Sequence, residues 1–151
     1  MDEILGYDSR KAPTYAMAAA SDYIANVASS KGTIELEAPA DRAVYIVEAH
    51  VSQGVDVFAV APEDSTHITA SLTTVAIGAN FGGFDATATF RSGVSTTSTD
   101  GDAFLLDLST TGNRFFYPQG LYIPPGKIFV AKTNNVNQAR SAGLRWLEFP
   151  V

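Results

Sequence analysis

The sequence predicts an all-β domain, a sandwich or barrel of short antiparallel strands, preceded by an N-terminal arm. From residue 33 onward, apolar residues recur at every second position in short runs, which is the period of a strand with one wet face. Clusters of glycine, proline, asparagine and serine separate these runs. Hydrophobic residues make up 46% of the 151 residues and charged ones 17%, a balance that argues against disorder and suffices for one core.

The N-terminal part, residues 1–32, is predicted to be an arm, and residues 33–151 the sandwich. The alanine-rich segment 12–32 admits two interpretations. In the first, it contains a short helix that starts near Pro13, stops at Gly32 and has one apolar face. In the second, it is extended and lies across a neighbouring molecule, since small side chains allow close backbone approach. The helical face would carry Ala16, Ala20, Tyr23, Ile24 and Val27.

The predicted strands follow one another from residue 33. Residues 33–38 alternate between apolar and polar side chains, and Pro39 ends the run. Residues 42–60 are predicted to form two strands that a glycine-containing loop, residues 52–54, joins as a hairpin. Later runs bring the set to about eight or nine strands. They cover residues 67–77, 84–90, 103–108, 114–123, 127–133 and 143–149.

The segment Pro124-Pro125-Gly126 is predicted to be a rigid corner between two strands. Proline fixes φ and cannot donate a ladder hydrogen bond, and glycine permits the tight reversal that follows. The alternative, a proline-rich ligand for an SH3-like partner, needs a longer exposed polyproline helix. We therefore assign this segment an architectural role.

Two groups of polar residues have spacings that can bind a metal ion. Glu48 and His50 are two apart on a predicted strand and so share a face. Asp100 and Asp102 flank a glycine, as in oxygen-rich calcium loops. Neither group has enough further ligands in the sequence. We expect the first to be solvated residues on an outer face and the second an ordinary turn, and we predict no metal site.

No catalytic motif is present, and no catalytic residue or cofactor is predicted. The chain has two histidines and no cysteine, so its general acids and bases would have to be carboxylates. A two-carboxylate glycosidase on a sandwich stays an alternative, but the sequence nominates no pair. The prediction is a protein that is not an enzyme.

Charge and hydropathy exclude two kinds of partner. The net charge of −6 argues against a surface for nucleic acid or acidic lipid. No apolar run reaches the length of a membrane span, and residues 1–15 lack the basic and apolar regions of a secretory signal. We therefore expect a protein that is made in a cytoplasm, with neither nucleic acid nor membrane as its partner.

Trp146 has two interpretations. With Tyr117 and Tyr122 it could form a platform on which a sugar stacks, as in carbohydrate-binding sandwiches. A single tryptophan on a last strand is more often part of a core or a subunit contact, because burial of its large apolar area is favourable. We expect the second role and retain the first as an alternative.

Taken together, these features resemble the jelly-roll structural proteins of tailed-bacteriophage virions, including capsid decoration (cement) proteins and related head or tail accessory proteins. The resemblance is carried by the alanine-rich arm, the threonine-rich strands, the "IPPGK" corner and the closing "LRWLEFP" strand. It implies an antiparallel β-sandwich of the jelly-roll kind and a homo-oligomer, commonly a trimer, that is assembled into the virion in the host cytoplasm. It also implies the major capsid protein or another virion protein as partner, with the arm reaching over neighbouring subunits.

The predicted interface consists of apolar residues of the arm, which lie outside the predicted sandwich. A flexible arm that orders on assembly adds contact area at an entropic cost. The alternative function is a carbohydrate- or receptor-binding module, for example on a phage tail, which clustered exposed aromatic residues would favour. The interface residues are Tyr7, Tyr15, Met17, Tyr23 and Ile24.

Overall fold

A computed structural model describes most of the chain, and every regular element in the described residues is a β-strand. No helix in that part could cross a membrane. The all-β prediction is confirmed. The described residues are 15–28, 31–52, 55–64, 72–82, 85–95, 104–109, 114–116, 121–136 and 139–151.

The strands of the described part are numbered in chain order. They are β1 (Ala16–Ile24), β2 (Lys31–Glu37), β3 (Arg42–Ser52), β4 (Val55–Asp64), β5 (Thr73–Thr74), β6 (Ala79–Gly82), β7 (Thr89–Ser95), β8 (Phe104–Ser109), β9 (Arg114–Phe116), β10 (Leu121–Ile123), β11 (Lys127–Val136) and β12 (Arg140–Pro150).

Two antiparallel sheets face each other across one core. Sheet A has the order β10-β3-β12-β1-β6, and β9 pairs with β3 beside β10. Sheet B has the order β5-β7-β2-β11-β4-β8. Alternate residues of both sheets point into a shared apolar cluster, so the predicted sandwich is confirmed.

The centre of the core is a stacked pair of rings from opposite sheets. Trp146 of β12 and Phe90 of β7 have ring centroids 6.4 Å apart and planes 11° apart. Ala18 of β1 lies directly opposite Trp146 in the strand register. The alanines on the inner face of β1 therefore leave room for the indole, which is the pairing of small and large residues that close packing requires.

Residues 16–24 of the predicted arm are an integral strand of sheet A. They pair with β12 along their whole length and with β6 over the first half. Ala16, Ala18 and Ala20 are all buried, which is a period of two. The helix interpretation is wrong for these residues, because pairing with two strands outweighs the helix propensity of alanine. Gly32, the predicted helix stop, lies inside β2.

The predicted hairpin of residues 42–60 does not form. β3 belongs to sheet A and β4 to sheet B, so the two strands do not pair with each other. Both edges of β3 are already taken, one by β12 and the other by β9 and β10. Pairing with strands distant in sequence has prevailed over the local turn signal.

The corner at residues 124–126 is confirmed. β10 ends at Ile123, and Gly126 has a φ of 70°, in the left-handed region that favours glycine. The N–H of Gly126 donates to the carbonyls of Ala38 and Pro39, both at 3.2 Å. The corner is thus tied to the residues that follow β2.

Candidate functional site

The outward-facing surface of sheet A contains the candidate site. A bulge in β3 shapes it: Arg145 of β12 pairs with Glu48, but Trp146 pairs with Ile46, so Val47 has no partner in the register. The bulge puts Tyr45 and Glu48 on the same outer face although they are three residues apart. One end of this face is aromatic and the other is a polar cleft.

Four aromatic side chains form a continuous row at the first end, which we call the aromatic row. It consists of Tyr122, Tyr45, Phe149 and Tyr15, from β10, β3, β12 and the residue before β1. Successive ring centroids are 5.2, 5.8 and 6.1 Å apart, within the range of favourable aromatic pairs. The tyrosines are 38–42% exposed, so the row is open to solvent.

The rings of the aromatic row are inclined to one another. The planes of Tyr45 and Tyr122 make an angle of 57°, those of Tyr45 and Phe149 84°, and those of Tyr15 and Phe149 42°. These are tilted and edge-to-face contacts, which the ring quadrupole favours. The row therefore presents ring edges and hydroxyl groups instead of one flat strip.

A cleft of about 490 Å³ lies at the other end of the face. Its base includes the His50 ring, which packs over Gly143 of β12. A Cβ at position 143 would lie 2.4 Å from His50 Cε1 and 2.7 Å from the Ala20 carbonyl oxygen, so only glycine fits. The lining residues are Ala19, Ala20, Ser21, Glu48, His50, Ala76, Gly78, Leu144 and Arg145.

The ionisable groups of the cleft balance each other. Arg145 Nη1 and Glu48 Oε2 are 3.4 Å apart, with the arginine side chain 51% exposed and the glutamate 14%. Burial lowers the pKa of His50 from its ordinary value of 6.5, and the nearby charge of Glu48 raises it by less. The imidazole therefore takes up a proton less readily than an exposed histidine does.

Glu148 is a second carboxylate of sheet A, and it points into the core. It is fully buried and accepts four hydrogen bonds. The donors are Arg42 Nη1 at 2.9 Å, the N–H groups of Thr87 and Ala88 at 2.9 and 2.8 Å, and Trp146 Nε1 at 3.0 Å. This carboxylate fixes residues 85–88 to sheet A. No sequence signal singled it out, because all its donors but Trp146 are far away along the chain.

The predicted interface residues that the structure describes differ in their exposure to solvent. Tyr15 ends the aromatic row, Met17 is half-buried, and Tyr23 is 65% exposed. Ile24 belongs to the core, so its assignment to an interface is wrong. Its side chain follows Ala18 and Ala20 on the inner face of β1. Tyr7 lies outside the described residues.

The predicted sugar platform is not assembled. Trp146 is fully buried in the core, whereas Tyr122 is on the outer face of the same sheet. Their side chains point to opposite sides of sheet A, so the core role expected for Trp146 is confirmed. Tyr117 lies outside the described residues. Tyr45 and Phe149, which complete the row with Tyr122 and Tyr15, could not be found from spacing because they are adjacent only through strand pairing.

Of the two residue pairs whose spacing could bind a metal ion, the structure describes only Glu48 and His50. Glu48 and His50 share a face, as predicted, and both line the cleft instead of an open surface. Among the described residues, no group of three or more histidine, cysteine, aspartate or glutamate side chains could hold a metal ion. Asp100 and Asp102 lie outside those residues.

Comparison of the chain with protein-family models, curated proteins and solved structures finds no significant match in any of the three.

Proposed function

We propose that this protein is a non-enzymatic virion structural protein of the capsid-decorating kind, which assembles with itself and with a capsid or other virion protein. The class comes from the sequence resemblance to jelly-roll proteins of tailed phages. The observation that carries the proposal is the aromatic row on sheet A, since it supplies a contact surface of the composition that assembly needs.

The strand pairing supports a jelly roll. Nine of the strands pair as an antiparallel ribbon folded on itself: β1 with β12, β2 with β11, β3 with β9 and β10, and β4 with β8. Counting β9 and β10 as one strand, the sheets have the orders first-eighth-third-sixth and second-seventh-fourth-fifth. A jelly roll is built from two such four-stranded sheets, and this agreement in strand order supports the proposal. β5, β6 and β7 are then an insertion between the fourth and fifth strands.

The composition of the aromatic row suits a protein partner. Tyrosine and phenylalanine are enriched at the centres of protein interfaces, where a large ring is buried at a small cost in side-chain entropy. Tyrosine hydroxyl groups can bond to the partner while the rings are covered. Residues 1–14 precede Tyr15, so the N-terminal segment with Tyr7 joins the described chain at the end of the row.

A carbohydrate- or receptor-binding module is the second candidate, since exposed aromatic residues do cluster here. A sugar ring stacks on an aromatic face, however, and the rings of the row are inclined by 42–84° to their neighbours. An assembly contact, which can fit inclined rings, accounts for this geometry better.

The experiment is the solution mass by light scattering of three proteins: the full chain, a Tyr45→Ser/Tyr122→Ser double variant and a chain lacking residues 1–14. We expect the full chain to be an oligomer, commonly a trimer in this class, and both altered forms to dissociate. Val27→Ser is the control, because Val27 is also an exposed apolar side chain and belongs neither to the row nor to the predicted interface.

A full chain that is monomeric at all concentrations and fails to bind purified capsids would refute the proposal. An oligomer whose mass is unchanged by the double variant would show that the aromatic row is not the contact surface. Thermal unfolding of each variant separates dissociation from misfolding.

A further inference from the structure

We infer that β8, at one edge of sheet B, pairs antiparallel with β8 of a second copy of this chain and joins the two sheets into one. The contact consists of backbone hydrogen bonds between the two strands. It is separate from the aromatic row of sheet A, so it does not depend on the role proposed above. The position, the composition and the charge of β8 each support the inference.

β8 is the longest of the edge strands that the structure describes. It is the last strand of sheet B and pairs with β4 over six residues, 104–109 with 55–60. Among the described strands, none pairs with its other side. The strands at the other sheet edges, β5, β6, β9 and β10, have two to four residues each. Such short edges offer few backbone groups to a further strand, whereas β8 offers a whole strand as a template.

The composition of β8 favours pairing. Its sequence, FLLDLS, has four large apolar residues, one charged residue and neither proline nor lysine. Proteins that keep an edge strand unpaired protect it with lysine, proline or a bulge. The register of β8 with β4 runs without a bulge. β10 is an example of a protected edge, since it has three residues and two prolines follow it directly. β8 has none of these devices, so its edge is suited to another strand.

The charge pattern of β8 fits a second copy of the same strand. Antiparallel pairing about a twofold axis at Leu106 puts Leu105 opposite Asp107 of the second copy. Phe104 is then opposite Leu108. Like charges directly opposite each other would destabilise the pair, but in this register the two Asp107 residues are not opposite. The same chain supplies both strands, so the pair needs no other component.

The first test is amide hydrogen exchange, measured by NMR on the unaltered full-length protein at low and at high concentration. In an edge strand the N–H groups of alternate residues point away from the sheet, and a paired strand covers them. We expect alternate amides of β8 to exchange at least about tenfold more slowly at high concentration than after dilution. The amides of Thr73 and Thr74, in β5 at the opposite edge of sheet B, should exchange alike at both concentrations.

The second test makes use of a chain that has no cysteine of its own. Leu106→Cys puts a thiol on the twofold axis, where residues of the two copies are close enough for a disulfide, so oxidation should give a covalent dimer. Thr74→Cys, at an exposed position on β5, is the matched control and should cross-link far more slowly. In the Tyr45→Ser/Tyr122→Ser protein the Leu106→Cys cross-link should persist, because β8 does not belong to the aromatic row.

Three results would overturn the inference. The first is that alternate amides of β8 exchange freely at every concentration. The second is that they are protected at every concentration in a protein that light scattering shows to be monomeric, since the edge is then covered within one chain. The third is that Leu106→Cys cross-links no faster than Thr74→Cys. Hydrogen exchange in the unaltered protein decides the pairing even if the Leu106→Cys protein fails to fold.

Discussion

The two faces of β12 carry neighbouring residues with opposite roles. Trp146 and Glu148 point inward and are fully buried, whereas Arg145 and Phe149 point outward and belong to the cleft and the aromatic row. One strand therefore contributes both to the stability of the core and to the two candidate binding surfaces. Strand geometry separates these roles, since successive side chains point to opposite sides.

The contrast is sharpest between two glutamates of the same sheet. Glu148 accepts four hydrogen bonds in the core, which satisfy its carboxylate without solvent. Glu48, on the outer face, has one loose ion pair at 3.4 Å with a half-exposed arginine. A carboxylate whose bonds are all made inside the fold stabilises it, while one at the edge of a cleft remains able to bind something else.

The largest effect should come from the inner carboxylate. Glu148→Ala removes the acceptor of the Trp146 N–H and of two backbone N–H groups, and it removes the carboxylate beside Arg42, which keeps its bond to the Asp85 carbonyl. We expect a loss of about 3–5 kcal/mol in the free energy of unfolding, measured by urea denaturation. Glu48→Ala is the matched variant on the outer face and should cost less than about 1 kcal/mol. Equal losses would contradict the distinction between the two faces.

The next effect concerns the glycine under the cleft. Gly143→Ala places a Cβ 2.4 Å from His50 Cε1 and 2.7 Å from a backbone oxygen, so that β1 and the imidazole must move. We expect a loss of about 1–3 kcal/mol on thermal unfolding. Gly78→Ala is the control, because its nearest new contact is 3.7 Å and ordinary. A fully stable Gly143→Ala protein would mean that the His50 ring is not held against β12.

A smaller change in stability should accompany loss of the aromatic row. Tyr45 contacts the rings of both Tyr122 and Phe149, so Tyr45→Ser should cost about 1 kcal/mol. Its effect on self-association, followed by light scattering, should be far larger than on unfolding. If unfolding is strongly impaired while the oligomer persists, the row serves the fold and not assembly.

The smallest effect is the pH dependence due to His50. Burial lowers the pKa of His50 in the folded protein, so the unfolded chain binds a proton more readily. Stability from this group is fully present above the unfolded pKa of about 6.5 and is lost as pH falls through the lower folded pKa. Two charged side chains line the same cleft as the His50 ring: Glu48, whose charge raises this pKa, and Arg145.

The measurement compares unfolding of the unaltered protein and His50→Gln from about pH 8 to about pH 5. The unaltered protein should lose more stability on acidification than the variant does. Parallel curves would show that His50 titrates alike in the folded and unfolded chains.

Local sequence patterns were sufficient to predict the all-β fold class and the corner at residues 124–126. Alternation in residues 33–38 predicted β2, although Thr33 and Glu35, on the face predicted to be wet, are buried. The proline pair with Gly126 predicted the turn between β10 and β11. The spacing of Glu48 and His50 also predicted that both side chains lie on the same face of the sheet. These features depend on φ preferences and on a period of two, which neighbouring residues specify by themselves.

Contacts between distant parts of the chain decided the rest. β1 is a strand and not a helix because β12 and β6 take its hydrogen bonds, and β3 does not form a hairpin with β4 because both its edges are occupied. The bulge at Val47, the aromatic row and the four donors to Glu148 arise in the same way. The sequence by itself determined that this chain forms strands; only the tertiary structure decided which strands meet, because pairing energy is gained between residues that no local pattern connects.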